Sequence, residues 1–414
     1  MIKVRLNLRK VVAIAICLAG VTVFAGCGKD DDPIENPPLP AEAIELTSPI
    51  TADRTLKDLG LPIDYFFNGN ILEVKNNAIL TIEDSVTIQF RKTDGKLVIM
   101  DGATIKALGT ADKRIQFVGT STNKGSWYGI FIETNKENQF NYVDFMNGGS
   151  FNQEGVVNVS AEGAKLNMTN CKISGSLGYG VYFPHGTQRF TAFNNNVIER
   201  CDKSPVALFW LTQAEFFDKT SNLTGNGQNY VLVQVGTEIK NSNFTLNATT
   251  VPYYISYAGI QVGNGQTFTI NQGVTLYMGQ DVNFNVEGTN PSVGARLVVN
   301  GGSGAGEQVI LTRLPNSTNY WSGLFFMDSH NNEIRNAVIE YGGRPNNDAN
   351  IYAYYRSSMH LENVAINNSY NLGFKFNNST GSDAAQVTHS NVTFNNNAGG
   401  NVMLPDETTV STLP

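Results

Sequence analysis

Charge is scarce in this 414-residue chain: Asp, Glu, Lys and Arg together make up only 16% of it. The balance is acidic, −7 at neutral pH, which argues against a nucleic-acid partner. Histidine and cysteine each occur four times and tryptophan three times. No His or Cys spacing fits a zinc site, and no Asp cluster fits a calcium loop, so no metal and no cofactor is expected. Cys17 and Cys27 fall in the first 27 residues. Cys171 and Cys201 remain; they occupy different points of the repeat units described below and read as small buried residues, their pairing left open. Helical periodicity is missing beyond Val11–Phe24, and that apolar run is too short to span a membrane comfortably. What is plentiful is glycine (40 residues) and asparagine-rich turns, which point to an all-β protein.

A long internal repeat dominates the rest. Ala78-Ile-Leu-Thr-Ile-Glu-Asp-Ser-Val-Thr-Ile-Gln-Phe90 matches Gln266-Thr-Phe-Thr-Ile-Asn-Gln-Gly-Val-Thr-Leu-Tyr-Met278, with Val86 and Val274 lying 188 positions apart. Trp127-Tyr-Gly-Ile-Phe-Ile132 answers Trp321-Ser-Gly-Leu-Phe-Phe326, and Asn138 with Gly148-Gly149 answers Asn332 with Gly342-Gly343. The offset becomes 194 between Trp127 and Trp321 and 193 between Gly180 and Gly373, so insertions separate units of steady length. Short strand-like runs follow each Trp-x-Gly unit, with glycines at 129, 155 and 180 giving steps of 26 and 25. Each run alternates apolar and polar, so one side faces inward. One coil of that length cannot bury its apolar side alone; stacked coils can. Asn and Gly at the bends tolerate positive φ, and stacked Asn side chains can bond in ladders.

These features predict a right-handed parallel β-helix, an all-β solenoid built from two duplicated halves. It resembles the pectate-lyase-like superfold. Residues 46–208 form the first half, with 46–61 as its cap. Residues 209–251 are less regular connecting coils, 252–404 the second half and 405–414 a C-terminal tail. Continuous stacking of the halves is preferred, because an open solenoid end is an exposed edge.

The N-terminus reads as an address. Lys3, Arg5, Arg9 and Lys10 precede the apolar run, which ends in Phe24-Ala25-Gly26-Cys27. This resembles the lipobox of bacterial lipoproteins, which implies a signal peptide at 1–26 and a lipid on Cys27. Gly28 stands where an inner-membrane retention aspartate would be. Lys29-Asp30-Asp31-Asp32 resembles the surface-export signal of Bacteroidota-type Gram-negative bacteria. Residues 27–45, with four prolines between Pro33 and Pro40, read as an extended tether. The mature chain resembles the β-helix-repeat surface lipoproteins of those bacteria. The resemblance implies an outer-membrane protein anchored through Cys27 and facing the exterior, and it says little about activity.

Chemistry is harder to find. The motif set of pectin hydrolases is absent apart from the fragment Pro184-His185-Gly186, and Asn300–Gly306 precedes a strand and reads as a turn, not a phosphate loop. One segment is rich in polar and aromatic residues: Asp328, His330, Arg335, Glu340, Tyr341, Arg344, Tyr352, Tyr354, Tyr355 and Arg356. On coils of about 25 residues, Asp328, Arg335 and Tyr354 are expected on one flank, where rings stack on sugars and charged groups hold hydroxyls or uronates. The alternative is a solvated coil surface. Trp127 and Trp321 read as structural plugs. The leading functional expectation is non-catalytic binding of a polysaccharide or host surface glycan. The second is a polysaccharide lyase or glycosidase using Asp328, Arg335, Glu340 or Arg344. The third is a surface spacer.

Overall fold

The computed structural model describes residues 42–149, 154–289, 293–344 and 348–414. The basic and apolar N-terminal stretch, the Phe24–Cys27 box and most of the proline-rich tether lie outside them. The described chain winds as a parallel β-solenoid of about 13 turns, about 2% helical. Alternation along each strand produces it. Ile130 and Ile132 point inward and are fully buried, Ile130 pairing with Leu97 on one side and Val157 on the other. Repeating this from coil to coil joins the inward residues into one continuous core.

One sheet runs nearly the length of the molecule. This spine passes from Ile71–Val74 through Gly129–Glu133, Tyr179–Tyr182, Val206–Leu208, Val231–Val233, Tyr253–Ile255 and Val309–Thr312 to the second part of Asn332–Glu340. Around the earlier coils two further sheets, of seven and six strands, complete the walls; they end at Val197–Cys201 and Arg189–Asn194. Residues 209–230 interrupt them with a 3-10 turn at Leu211–Ala214 and irregular chain. A new eight-stranded sheet then starts at Thr237–Ile239 and runs through Gly323–Met327, Ala349–Ala353 and Leu372–Phe376 to Gly400–Met403. We call it the late sheet.

The late coils close through long strands that bend. Asn332–Glu340, Ser358–Asn367 and Gln386–Asn395 each cover two walls, turning at Asn336, Asn363 and Asn391 with φ of 48°, 54° and 52°. Their amides form a ladder: Asn391 Nδ2 donates to Asn363 Oδ1 at 2.8 Å, and Asn363 Nδ2 to Asn336 Oδ1 at 3.0 Å. Fully buried amides staple coils from inside. Asn138 Oδ1 accepts from Ile105 N at 3.0 Å, and Asn332 Oδ1 from Leu297 N at 2.8 Å.

Both Trp-x-Gly tryptophans are core residues, fully buried. Trp127 Nε1 donates to the Met146 carbonyl at 2.9 Å and Trp321 Nε1 to the Glu340 carbonyl at 2.8 Å. The paired glycines that follow are required by close packing and by backbone conformation. A Cβ on Gly148 would lie 2.9 Å from the Trp127 indole, and one on Gly342 3.2 Å from the Trp321 indole and 2.8 Å from Asn350 Oδ1. Gly149 and Gly343 take φ of 83° and 89°, a region side chains disfavour. Cys171 and Cys201 are free and buried, and burial pushes each thiol up to about 12.

Residues 405–414, expected as a tail, fold back over the last coil. Thr409–Val410 pairs antiparallel with Gly400–Met403, Leu413 is buried in the core, and the Pro414 carbonyl meets His389 Nε2 at 3.0 Å. Leu413 and Val410 shield apolar surface that the final coil would otherwise expose. Among the described residues, no helix is long and apolar enough to cross a membrane.

Candidate functional site

The ten residues singled out between Asp328 and Arg356 do not converge on one groove. The coil distributes them over four places, because a segment of 29 residues travels all the way around the solenoid.

Asp328, Tyr355 and Arg356 occupy a corner. Asp328 is 6% exposed, and its carboxylate takes Arg356 Nε at 2.6 Å. Arg356 also lies 4.3 Å from the Tyr355 ring centroid. The Asp383 carboxylate, hydrogen-bonded to the Tyr355 hydroxyl, holds that phenol above its ordinary value. Both charges are spent on coil-to-coil contacts, so this corner is a staple. His330 packs against Gly294 nearby, its Nε2 buried without a protein partner.

Arg335 stands on another wall, in an ionic network that spacing alone did not suggest. Glu333 takes Arg296 at 2.6 Å on one carboxylate oxygen and Arg335 at 3.3 Å on the other. Arg335 also pairs with Glu362, and His360 Nε2 stands 3.8 Å from the same Glu362 oxygen. A cleft of about 270 Å³ opens here, lined by Glu333, Arg335, His360 and Thr388 among others. Two carboxylates and a histidine do meet, but the guanidinium sits between the carboxylates.

Glu340, Tyr341 and Arg344 belong to a third place. Thr312 Oγ1 donates to Glu340 at 2.8 Å, and Asn368 Nδ2 at 3.4 Å. Arg313 stacks 3.9 Å from the Tyr341 ring centroid and 5.2 Å from that of Tyr320. Exposed Arg344 lies 5.1 Å from the Tyr370 ring centroid. The adjoining cleft is about 590 Å³, lined by Tyr277, Thr312, Arg313, Glu340 and Tyr341 among others. Glu340 is the one carboxylate in that lining.

Tyr352 and Tyr354 lie on the outer face of the late sheet, where Phe325 and Lys375 join them. The rings of Phe325, Tyr352 and Tyr354 sit 5.4–5.5 Å apart, centroid to centroid. Lys375 Nζ is 4.9 Å from the Tyr352 centroid and 3.4 Å from the Asp348 carboxylate. Burial raises the Tyr352 phenol, with Tyr354 and Asp348 adding to the shift. Strand register extends this surface: Glu238, Gln261, Asn285, Phe325, Tyr352, Lys375 and Met403 form one outward lane. Phe325 was legible in principle, since alternation in Gly323–Met327 turns it opposite to buried Leu324 and Phe326. Arg296, Glu333, His360 and Glu362 carried no such signal, because only coil register assembles them.

The late face offers half-buried aromatic rings beside an ion pair, with side-chain amides on the same lane. Such a surface stacks on the C–H faces of sugars and reads hydroxyls at its edges. Among the described residues, no group of three or more His, Cys, Asp or Glu side chains is arranged to hold a metal. No protein-family model matches the chain, and no curated protein or solved structure matches it either.

Proposed function

We propose that this protein is a lipid-anchored outer-membrane surface lipoprotein whose solenoid binds glycans without cleaving them. The observation that carries the reading is the Phe325–Tyr352–Tyr354 cluster beside Lys375 and Asp348 on the outer face of the late sheet. The solenoid is taken as a right-handed β-helix of two duplicated halves. The hand follows from the strong preference of parallel crossovers, and the duplication from the sequence repeat. The Phe24–Cys27 box and the acidic stretch after it support anchoring at Cys27 and export to the exterior.

A glycan array probed with the full-length protein tests the binding. The expected result is retention of one or more polysaccharides, with Tyr352→Ala/Tyr354→Ala weakening it at least tenfold, or about 1.4 kcal/mol. Failure to bind any polymer would remove the reading. Mass spectrometry of the N-terminal peptide tests the anchor: acyl chains should sit on Cys27 and vanish in Cys27→Ser.

A second reading, polysaccharide cleavage, is favoured by Glu333 and His360 in the lining of the 270 Å³ cleft, with Glu362 3.8 Å from His360 Nε2. Hydrolysis needs one free acid and one free base or nucleophile, whereas Arg296 and Arg335 together occupy both oxygens of Glu333. Reducing-end or unsaturated-sugar release that is lost in Glu333→Gln and Glu362→Gln would establish this reading in place of the first.

A further inference from the structure

The late sheet begins beside residues 209–230, and a cleft of about 460 Å³ opens there. Trp210, Thr237, Glu238, Gln261, Asn283 and Asn285 contribute to its lining. We infer that this cleft binds a neutral sugar ring of an extended polysaccharide lying along the late sheet. The inference rests on the glycan reading and extends it to residues that the polar segment after Asp328 never reaches.

Trp210 is the first ground. It is 36% exposed, whereas Trp127 and Trp321 are fully buried. An indole left in water forgoes a large hydrophobic gain, and exposed aromatic anchors mark recognition surfaces. The ring is also held in place. The backbone N–H groups of Phe209 and Trp210 donate to Gln213 Oε1 at 2.8 and 3.0 Å. Gln213 Nε2 donates in turn to the carbonyls of His185 and Gln188, both at 2.8 Å. Buried Gln213 thus ties the Trp210 backbone to the turn on which the indole rests. A Cβ on Gly186, within that turn, would meet the ring at 2.5 Å. A pre-set aromatic platform loses little conformational entropy on binding.

The second ground is polar. Thr237 contributes to the lining, but its side chain is buried on the inward side of its strand, in register with core Ile260. Gln261, Asn283 and Asn285 add amides that can both donate and accept, as a hydroxyl-bearing ring requires. Glu238 is the one ionisable side chain in the lining. Lys240 Nζ pairs with that carboxylate at 2.6 Å, so the lining offers no uncompensated cation to a uronate, which fits a neutral sugar.

The third ground is register. From Glu238 the outward lane passes Gln261 and Asn285 to Phe325 and Tyr352. At the spacing of paired strands those four steps cover roughly 19 Å, so one oligosaccharide can reach both aromatic sites.

Fluorescence of the full-length protein reads this directly, because Trp210 is the one tryptophan of three that solvent reaches. Acrylamide quenching is followed while cellohexaose, xylohexaose, mannohexaose or oligogalacturonate is added. At least one neutral hexasaccharide should cut the quenching constant twofold or more. Trp210→Ala should weaken its binding about tenfold, and Gly186→Ala, which displaces the ring, should weaken it less. Oligogalacturonate should give no protection. If a neutral hexasaccharide binds and Tyr352→Ala weakens it, while Trp210 quenching and the affinity of Trp210→Ala are unchanged, the inference is overturned and the glycan reading stands. Protection by oligogalacturonate overturns the assignment to neutral sugars. No binding by any of the three neutral hexasaccharides overturns the inference, and the glycan reading falls with it only if the array is also blank.

Discussion

The two Trp-x-Gly units meet the same demand inside the solenoid and different ones outside. In both, the indole N–H reaches a carbonyl 19 residues further on, a glycine makes room for the ring, and a buried asparagine staples the coil behind it. Their strands nevertheless lie in different sheets: Gly129–Glu133 belongs to the spine and Gly323–Met327 to the late sheet. Phe131 is covered, with Lys96 and Tyr128 packed on its ring. Phe325, at the matching position, is half-open and joins Tyr352 and Tyr354. Inward residues are constrained by packing in either place. Outward residues are free to diverge, and there the proposed function lies.

The inward likeness is open to attack by mutation. Trp127→Ala and Trp321→Ala should each destabilise by about 3–5 kcal/mol, read as a fall in the urea midpoint. A large loss for one with less than about 1 kcal/mol for the other would end the equivalence. Asn138→Leu and Asn332→Leu should cost less, about 1–3 kcal/mol each, since each strands a buried backbone N–H. Equal losses sharpen the comparison, and a neutral Asn332→Leu would break it.

A gradual effect, spread over several pH units, is a pH dependence centred on the earlier coils, which hold Cys171 and Cys201. Burial raises both thiols to about 12 from an ordinary value near 9. Below pH 9 the thiols are protonated in both folded and unfolded chains. Between pH 9 and 12 only the unfolded chain ionises, so stability falls as pH rises, by up to about 1.4 kcal/mol per unit per thiol. Cys171→Ala/Cys201→Ala should flatten that slope in denaturant titrations. Buried Tyr253, whose phenol is also pushed up, accounts for a residual slope.

Much of the fold was legible because its causes are local. Alternation gave the strands, Trp and Gly-Gly spacing gave the coils, and Asn at the bends gave the ladders that Asn336, Asn363 and Asn391 form. The candidate site was less legible, since residues close in sequence are carried onto different walls. Asp328, Arg335, Glu340 and Tyr352 lie within 25 positions yet sit in four separate environments. Conversely, Trp210 and Gln261 are 51 positions apart and line one cleft. Only the register across the irregular coils after Leu208 decides which wall a strand joins, and no spacing rule supplies it.

Hydroxyl-radical footprinting of the full-length protein with a bound hexasaccharide tests the central claim, that the ligand lies on the late face. Oxidation should fall at Trp210, Phe325, Tyr352 and Tyr354 and stay unchanged at Tyr277, Tyr341 and Tyr370. Protection of Tyr277 and Tyr341 with none at Tyr352 would place the ligand in the Glu340 cleft and contradict the account.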